Sequence, residues 1–339
     1  MSIQTTKKSI FIALILASIC SCENQQEMLG SFPTVPVNFE EINSEFDDYN
    51  STSPTTGETF PLCFSSNRKS SGSNFDVVYK LIDIRFTKRT GKLEIGEFHS
   101  DNLLDVFVSN TNIFDALNKT NTSNYDELGP YLFFKNYNFG NNTYIYMYSN
   151  NSSGNQDIKF TQNEDNEYYA EPIEVSFLNS SADDAYPALN RDNSEIYFTS
   201  NRDGNFDIYR ASIDISRDLV DALTDSTQVN ILKDTILSST ADDKCSFITD
   251  DFLVFTSNRS GGFGGYDLYY SRFVNGKWSV PQNFGNKINT EYDEYRPIVR
   301  QQFEFANDFM LFSSNRPGGK GGFDLYYVGI ENITKNFIE

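Results

Sequence analysis

The loop Asn201–Asp207, NRDGNFD, sets Asp203, Asn205 and Asp207 at alternating positions. Three side-chain oxygens at that spacing suit a hard cation such as Ca2+, although the rest of a twelve-residue calcium loop is missing. Otherwise the sequence names no cofactor. His99 is the only histidine, and no serine or cysteine signature stands beside it. That leaves little basis for a Ser-His-Asp triad. No GxSxG, P-loop or zinc-ligand spacing occurs. Carboxylates are what the chain has in quantity, with 47 Asp and Glu against 27 Lys and Arg and a formal charge of −20. Such a chain repels phosphate, which argues against nucleic acid as a partner. Four acid pairs recur: Asp47-Asp48, Asp183-Asp184, Asp242-Asp243 and Asp293-Glu294. Paired carboxylates carry out glycoside hydrolysis. They can also form a negative rim that steers a basic partner. No acid stands out as unique, so the expected partner-binding residues are Asp183, Asp184, Asp242, Asp243, Asp293 and Glu294, with catalytic residues unassigned.

What positions these acids is a repeat. Residues 255–270 read FTSNRSGGFGGYDLYY and residues 312–327 read FSSNRPGGKGGFDLYY. Each copy is an apolar strand ending in Ser-Asn, a polar or glycine-rich loop, and a second strand led by Asp. Further copies give Asn67 with Asp76, Asn150 with Asp157, and Asn201 with Asp207, beside Asn258 with Asp267 and Asn315 with Asp324. The gap of 83 residues between Asn67 and Asn150 is too long for one unit. The segment VFVSNTNIFDAL (106–117), with Asn110 and Asp115, fills it as a degenerate copy. Six units of about 40–57 residues suit four-stranded propeller blades. The 30 Phe and 20 Tyr favour strands. The expectation is an all-β, six-bladed β-propeller over residues 32–339.

Within each unit, Asn67, Asn201, Asn258 and Asn315 suit left-handed or turn backbone at a strand end. Asp76, Asp207, Asp267 and Asp324, each at the start of the next strand, can accept N–H groups of the tight loop. These are structural roles, required once per blade. TVPVNFEEINSE (34–45) matches SVPQNFGNKINTE (279–291), yet no unit precedes it and the last unit lacks such a segment. The N-terminal piece is therefore expected to supply the last blade's fourth strand, closing the ring and removing its open edges.

SSNRPGGKGGFDLYYV and NFGNKINTEYDEYRP resemble the WD-like β-propeller repeat family, which includes the periplasmic propeller of the Tol system. That resemblance implies a non-enzymatic protein-interaction or assembly platform in the bacterial envelope, with an envelope protein or a glycan as partner. The alternative is a carbohydrate-active propeller enzyme, a glycosidase or lyase, or a glycan-binding lipoprotein. Clustered acids at the channel mouth would separate the two.

The first residues are a targeting segment. Lys7 and Lys8 precede the apolar run 10–19, which is short for a membrane span. ICSC (19–22) resembles a lipobox, with small Ser21 before Cys22 and Ile19 three residues back. This gives a signal peptide at 1–21, lipid attachment at Cys22, a linker at 22–31 and an outer-membrane lipoprotein, held to the membrane by its lipid. Of the later cysteines, Cys63 falls in blade one and Cys245 in a distant blade, so both are expected as free buried thiols. Trp278 is expected to pack an outer strand.

Overall fold

The computed structural model describes residues 28–332, apart from 55–57, 100–112, 123, 139–140, 165–167 and 226–228; the side chains of 134–138, 141–142 and 164 are also left undescribed. Strand β1 (Val37–Asn38) comes first in the chain and is used last. The first sheet is β2 (Asp48–Thr52), β3 (Thr59–Ser66), β4 (Asp76–Thr87) and β5 (Lys92–Glu97). Helix α1 (Ile113–Thr120) separates it from the second, which runs β6 (Glu127–Asn138), β7 (Asn141–Asn150), β8 (Asp157–Glu164) and β10 (Ile173–Glu174), with β9 (Tyr168–Tyr169) also on β8. The third is β11 (Asp184–Leu189), β12 (Glu195–Ser200), β13 (Asp207–Ser212) and β14 (Ile231–Lys233); α2 (Leu219–Thr224) lies in the β13–β14 connection. The fourth is β15 (Asp243–Thr249), β16 (Phe252–Ser257), β17 (Asp267–Val274) and β19 (Gln282–Asn283), with β18 (Lys277–Trp278) on the far end of β17. The fifth is β20 (Glu294–Arg300), β21 (Asp308–Ser314), β22 (Asp324–Ile330) and β1.

These are five blades, A to E, of an all-β propeller. Their first strands, β2, β6, β11, β15 and β20, contact one another around a common axis. β1 closes the ring: Val37 pairs with Tyr327 and Asn38 with Tyr326. Gln282 and Asn283 pair with Tyr270 and Tyr269 in the same register one blade earlier. Pairing starts sooner than expected, because Gly30 bridges Phe305 and Phe32 stacks on Phe305 at 4.0 Å. The middle strands read as continuous apolar runs because neighbouring blades cover both faces; all of β16, FLVFTS, is buried. Among the described residues, no helix is long and apolar enough to cross a membrane.

The described residues form five blades, not the expected six. Asn110 lies outside the described residues, and Asp115 sits on α1 instead of leading a strand. Ile113, Ala116 and Leu117 pack with Cys63, Val77 and Tyr146, so α1 wedges between blades A and B. Of the Ser-Asn-Asp letters that suggested a blade there, only Asp115 falls on the described helix. A second landmark gives the true count. TNTSNYDELGP (120–130) is the acidic turn of blade B, with one residue more than INTEYDEYRP (288–297). Asn121 grips the N–H and carbonyl of Val77 as Asn289 grips those of Leu268. Among the described residues there are five such turns, one per blade. Blade B is also shifted by one residue: Asn150 pairs with Asp157 where other blades have Ser66, Ser200, Ser257 and Ser314. Asn151, not Asn150, is thus the equivalent of Asn67 and its counterparts.

Candidate functional site at the channel mouth

The acidic turns and glycine-rich loops share one end of the barrel of inner strands, and the first acid of each pair latches two blades together. Asp47 accepts the N–H of Phe323, Asp126 that of Phe75, Asp183 that of Gln156, Asp242 that of Phe206 and Asp293 that of Tyr266. Each donor belongs to the preceding blade, so the five latches close a ring. The repeated asparagine completes the latch. Oδ1 of Asn67, Asn151, Asn201, Asn258 and Asn315 accepts the backbone N–H of the same five acids. This contact also accounts for the repeated glycines. A Cβ on Gly264 would stand 2.3 Å from the Tyr292 carbonyl oxygen, and one on Gly321 1.9 Å from that of Phe46, both on the next blade's turn.

The second acid turns inward. Asp48, Asp184, Asp243 and Glu294 are fully buried. Each meets an arginine: Arg68 and Arg202 at 2.6 Å, Arg316 at 2.9 Å, and Arg259 closest of the four. The guanidinium stacks over a strand aromatic, as Arg316 does on Phe312 at 5.2 Å. It also donates to a serine two residues back and to a carbonyl of the acidic turn, here Ser314 and Ile288. This arginine is the functional residue that sequence reading missed, although SNR occurs four times. In blade B, Ser152 takes its place. The counterpart acid, Glu127, is fully buried and, among the described residues, accepts hydrogen bonds from Thr122 and Asn150. Burial pushes its carboxyl up to about 7.

Other sequence-predicted residues are held by separate partners. Asp267 accepts the N–H groups of Phe263 and Gly264, and Asp324 those of Lys320 and Gly321. Asp76 faces Lys69 at 3.8 Å. Asp203 accepts the Tyr209 hydroxyl, Asn205 donates to the Ala241 carbonyl and Asp207 pairs with Lys233, so the three are not brought together on one cation. No cluster of three or more metal-ligating residues occurs among the described residues. Cys63 and Cys245 are free and buried. Trp278 is buried, donating to the Tyr197 hydroxyl at 3.0 Å across blades. His99 is exposed after β5, and Cys22 lies outside the described residues.

Inside the latch ring lies an aromatic collar. The residue after each buried acid is Tyr49, Leu128, Ala185, Lys244 or Tyr295, and the residue before each third strand is Phe75, Gln156, Phe206, Tyr266 or Phe323. Tyr49 contacts Phe75 at 4.8 Å and Phe323 at 5.9 Å; Tyr295 contacts Tyr266 at 5.4 Å and Phe323 at 6.3 Å. These rings are half-buried and form a crescent over blades A, D and E. Blades B and C offer smaller side chains. Lys244 sits 4.0 Å over Phe206 and 3.8 Å from Asp242. Burial raises the Asp242 carboxyl, but the Tyr266 hydroxyl, the Phe206 N–H and Lys244 outweigh it and hold the group below its usual range. Every acid of the latch ring is engaged. A separate cleft of about 700 Å³ lies between blades D and E toward the other face, lined by Phe252, Tyr270, Arg272, Phe284, Asn307 and Glu331 among others.

No family model matches the chain, and no curated protein matches it. Among solved structures, it is similar to an endo-arabinase from Bacteroides thetaiotaomicron, with 11% identity and a TM-score of 0.51, covering 88% of this chain and 97% of that one. An α-L-arabinofuranosidase from Podospora anserina in complex with cellotriose gives 10% identity and a TM-score of 0.49, covering 90% and 98%. A GH62 hydrolase in complex with xylotriose gives the same identity and score, covering 90% and 99%. At such identities the likeness speaks for the fold.

Two expectations are corrected. The fold neighbours are five-bladed glycoside hydrolases, not WD-like or Tol-type repeat proteins. The non-enzymatic platform falls with that resemblance. Of the residues expected to form a negative rim, Asp184, Asp243 and Glu294 are buried against arginines, while Asp183, Asp242 and Asp293 are half-buried and accept backbone N–H groups.

Proposed function

We propose that this chain is a carbohydrate-active propeller that takes a glycan on the aromatic collar. One observation carries the reading: Tyr49, Phe75, Tyr266, Tyr295 and Phe323 converge half-exposed on the channel mouth, with Lys244 and Asp242 beside them. Aromatic faces take the C–H faces of sugars, while flanking polar groups fix orientation. The neighbours in complex with cellotriose and xylotriose make these two trisaccharides reasonable first probes. Titration calorimetry with each should give saturable binding, weakened about tenfold or more by Tyr295→Ala, roughly the loss of one stacking contact. Tyr270→Ala, in the cleft between blades D and E, should leave it unchanged. The reverse pattern moves the site to that cleft; no binding of any oligosaccharide sinks the reading.

Cleavage of the bound glycan is a second reading, favoured by the ionised Asp242 beside Tyr266 and Lys244. Release of reducing ends that disappears in Asp242→Asn would support it. We further propose that Cys22 carries lipid and holds the propeller at the outer membrane. Cys22→Ser should abolish acyl labelling, while Cys20→Ser should not.

A further inference from the structure

Each inner strand carries a β-bulge two residues past its buried acid. The bulge residues are Asn50, Gly129, Tyr186, Cys245 and Arg296, at φ of 58°, 57°, 57°, 58° and 47°. Four of the five are not glycine, so the ring accepts left-handed backbone that costs free energy. Five-fold repetition turns these side chains toward the axis. Arg296 shows where they go. It belongs to blade E, whose neighbours are D and A. Yet Nη2 donates to the Pro130 carbonyl of blade B at 3.2 Å, and the guanidinium lies 5.4 Å from the Tyr186 ring centre of blade C. A side chain that reaches both non-adjacent blades lies on the axis.

This guanidinium is fully buried, and its Nε and Nη1 have no hydrogen-bond partner. Among the described residues it forms no salt bridge, unlike Arg68, Arg202, Arg259 and Arg316. The titratable groups facing it are Cys245, Tyr186, Tyr131 and Tyr295. Burial pushes the Cys245 thiol up to about 11 and the tyrosines above their ordinary range, so all four are neutral at pH 7. Neither amide atom of Asn50 has a hydrogen-bond partner of normal geometry, although the amide lies close enough to the Tyr186 and Tyr49 hydroxyls to offset part of their rise. Ser51 and Ser246, which follow two of the bulge residues, are also buried without partners. Arginine does not lose its proton in a protein, so it cannot escape burial by neutralising. Water would satisfy the N–H groups and leave the charge uncompensated in a low-dielectric interior.

We propose that the channel centre is a binding site for one small monovalent anion of the chloride class, held by the free N–H groups of Arg296 and the amide of Asn50. A single fixed cation calls for a single negative charge. Full burial calls for a resident ion and excludes a sugar acid entering from the mouth. Bound there, the anion would strengthen a link among blades B, C and E, so its effect should appear as ring stability.

The test compares melting temperature in sodium bromide and sodium methanesulfonate at equal ionic strength, with bromine anomalous maps from crystals grown in bromide. Wild type should gain about 3 °C or more, saturably, in bromide. The anomalous peak should lie beside Arg296. Arg296→Met should lose the gain. Should that variant fail to fold, Asn50→Asp decides, because an internal carboxylate would take the anion's place. This variant should melt in methanesulfonate at or above the wild-type temperature and show no bromide gain. Equal melting of wild type in both salts, bromide found only at the surface as an adventitious ion, or an undiminished gain in Asn50→Asp would each overturn the site.

Discussion

Blades A, C, D and E close their acidic turns round an arginine, whereas blade B performs the same latch without one. In the four, a buried carboxylate is matched by a guanidinium that also binds a serine and a turn carbonyl and stacks on an aromatic ring. In blade B, Asn150 replaces the serine, Ser152 replaces the arginine, and Glu127 relies on Thr122 and Asn150. The latch bonds survive in both versions: Asp126 holds the Phe75 N–H as Asp242 holds that of Phe206. The geometry of the turn therefore belongs to the interblade hydrogen bonds. The arginine compensates part of the burial cost: the Glu294 carboxyl is still raised beside Arg316, while Glu127, with no arginine, is pushed up to about 7.

This contrast can be broken from the arginine side, where the largest effect is expected. Arg259→Ala strands the fully buried Asp243 and should cost about 3–4 kcal/mol in denaturant unfolding. Adding Asp243→Asn should recover part of the loss. A loss under 1 kcal/mol would mean that the pair is only decorative. Next comes Glu127→Gln. The folded-state pKa of Glu127 is raised, so the wild type loses stability as pH climbs from about 4.5 through 7, then levels off. The glutamine variant should match wild type near pH 4.5 and exceed it by about 2 kcal/mol at pH 8. Equal stability at both pH values would show that Glu127 is not held in a desolvated site. Asn315→Ala removes both bonds to Asp293 and should cost about 1–2 kcal/mol by the same assay. The smallest effect is expected from Ser152→Arg, which gives blade B the missing cation. It should add about 1 kcal/mol at pH 8 and flatten the Glu127 titration; a steeper titration would contradict the proposed equivalence of the two sites.

The propeller itself was legible because each blade must repeat the same strand-end chemistry, and the closing strand was legible because VPVNF and VPQNF sit on the same pairing partners. The blade count departs from the sequence reading at 106–117, where Ser, Asn and Asp stand at strand-like spacing but Asp115 lies on α1. The acidic turn at 120–130 would have corrected it, but its single inserted residue hides the match. The acid pairs were found and their use was not. Whether a carboxylate faces solvent or a buried guanidinium depends on the alternation of side chains along a twisted strand, and the arginine of SNR stands in the sequence as one more residue of a polar loop. Nothing in local spacing could reveal the collar, because Tyr49, Phe75, Tyr295 and Phe323 converge only when the first and last blades meet.

The central claim is that this meeting point takes a sugar. The most direct measurement is a crystal structure of the chain with cellotriose or xylotriose. Density should lie on the faces of Tyr49, Tyr295 and Phe323, within hydrogen-bonding reach of Lys244. Ordered sugar in the cleft lined by Tyr270 and Phe284, with the collar bare at saturating concentration, would contradict it.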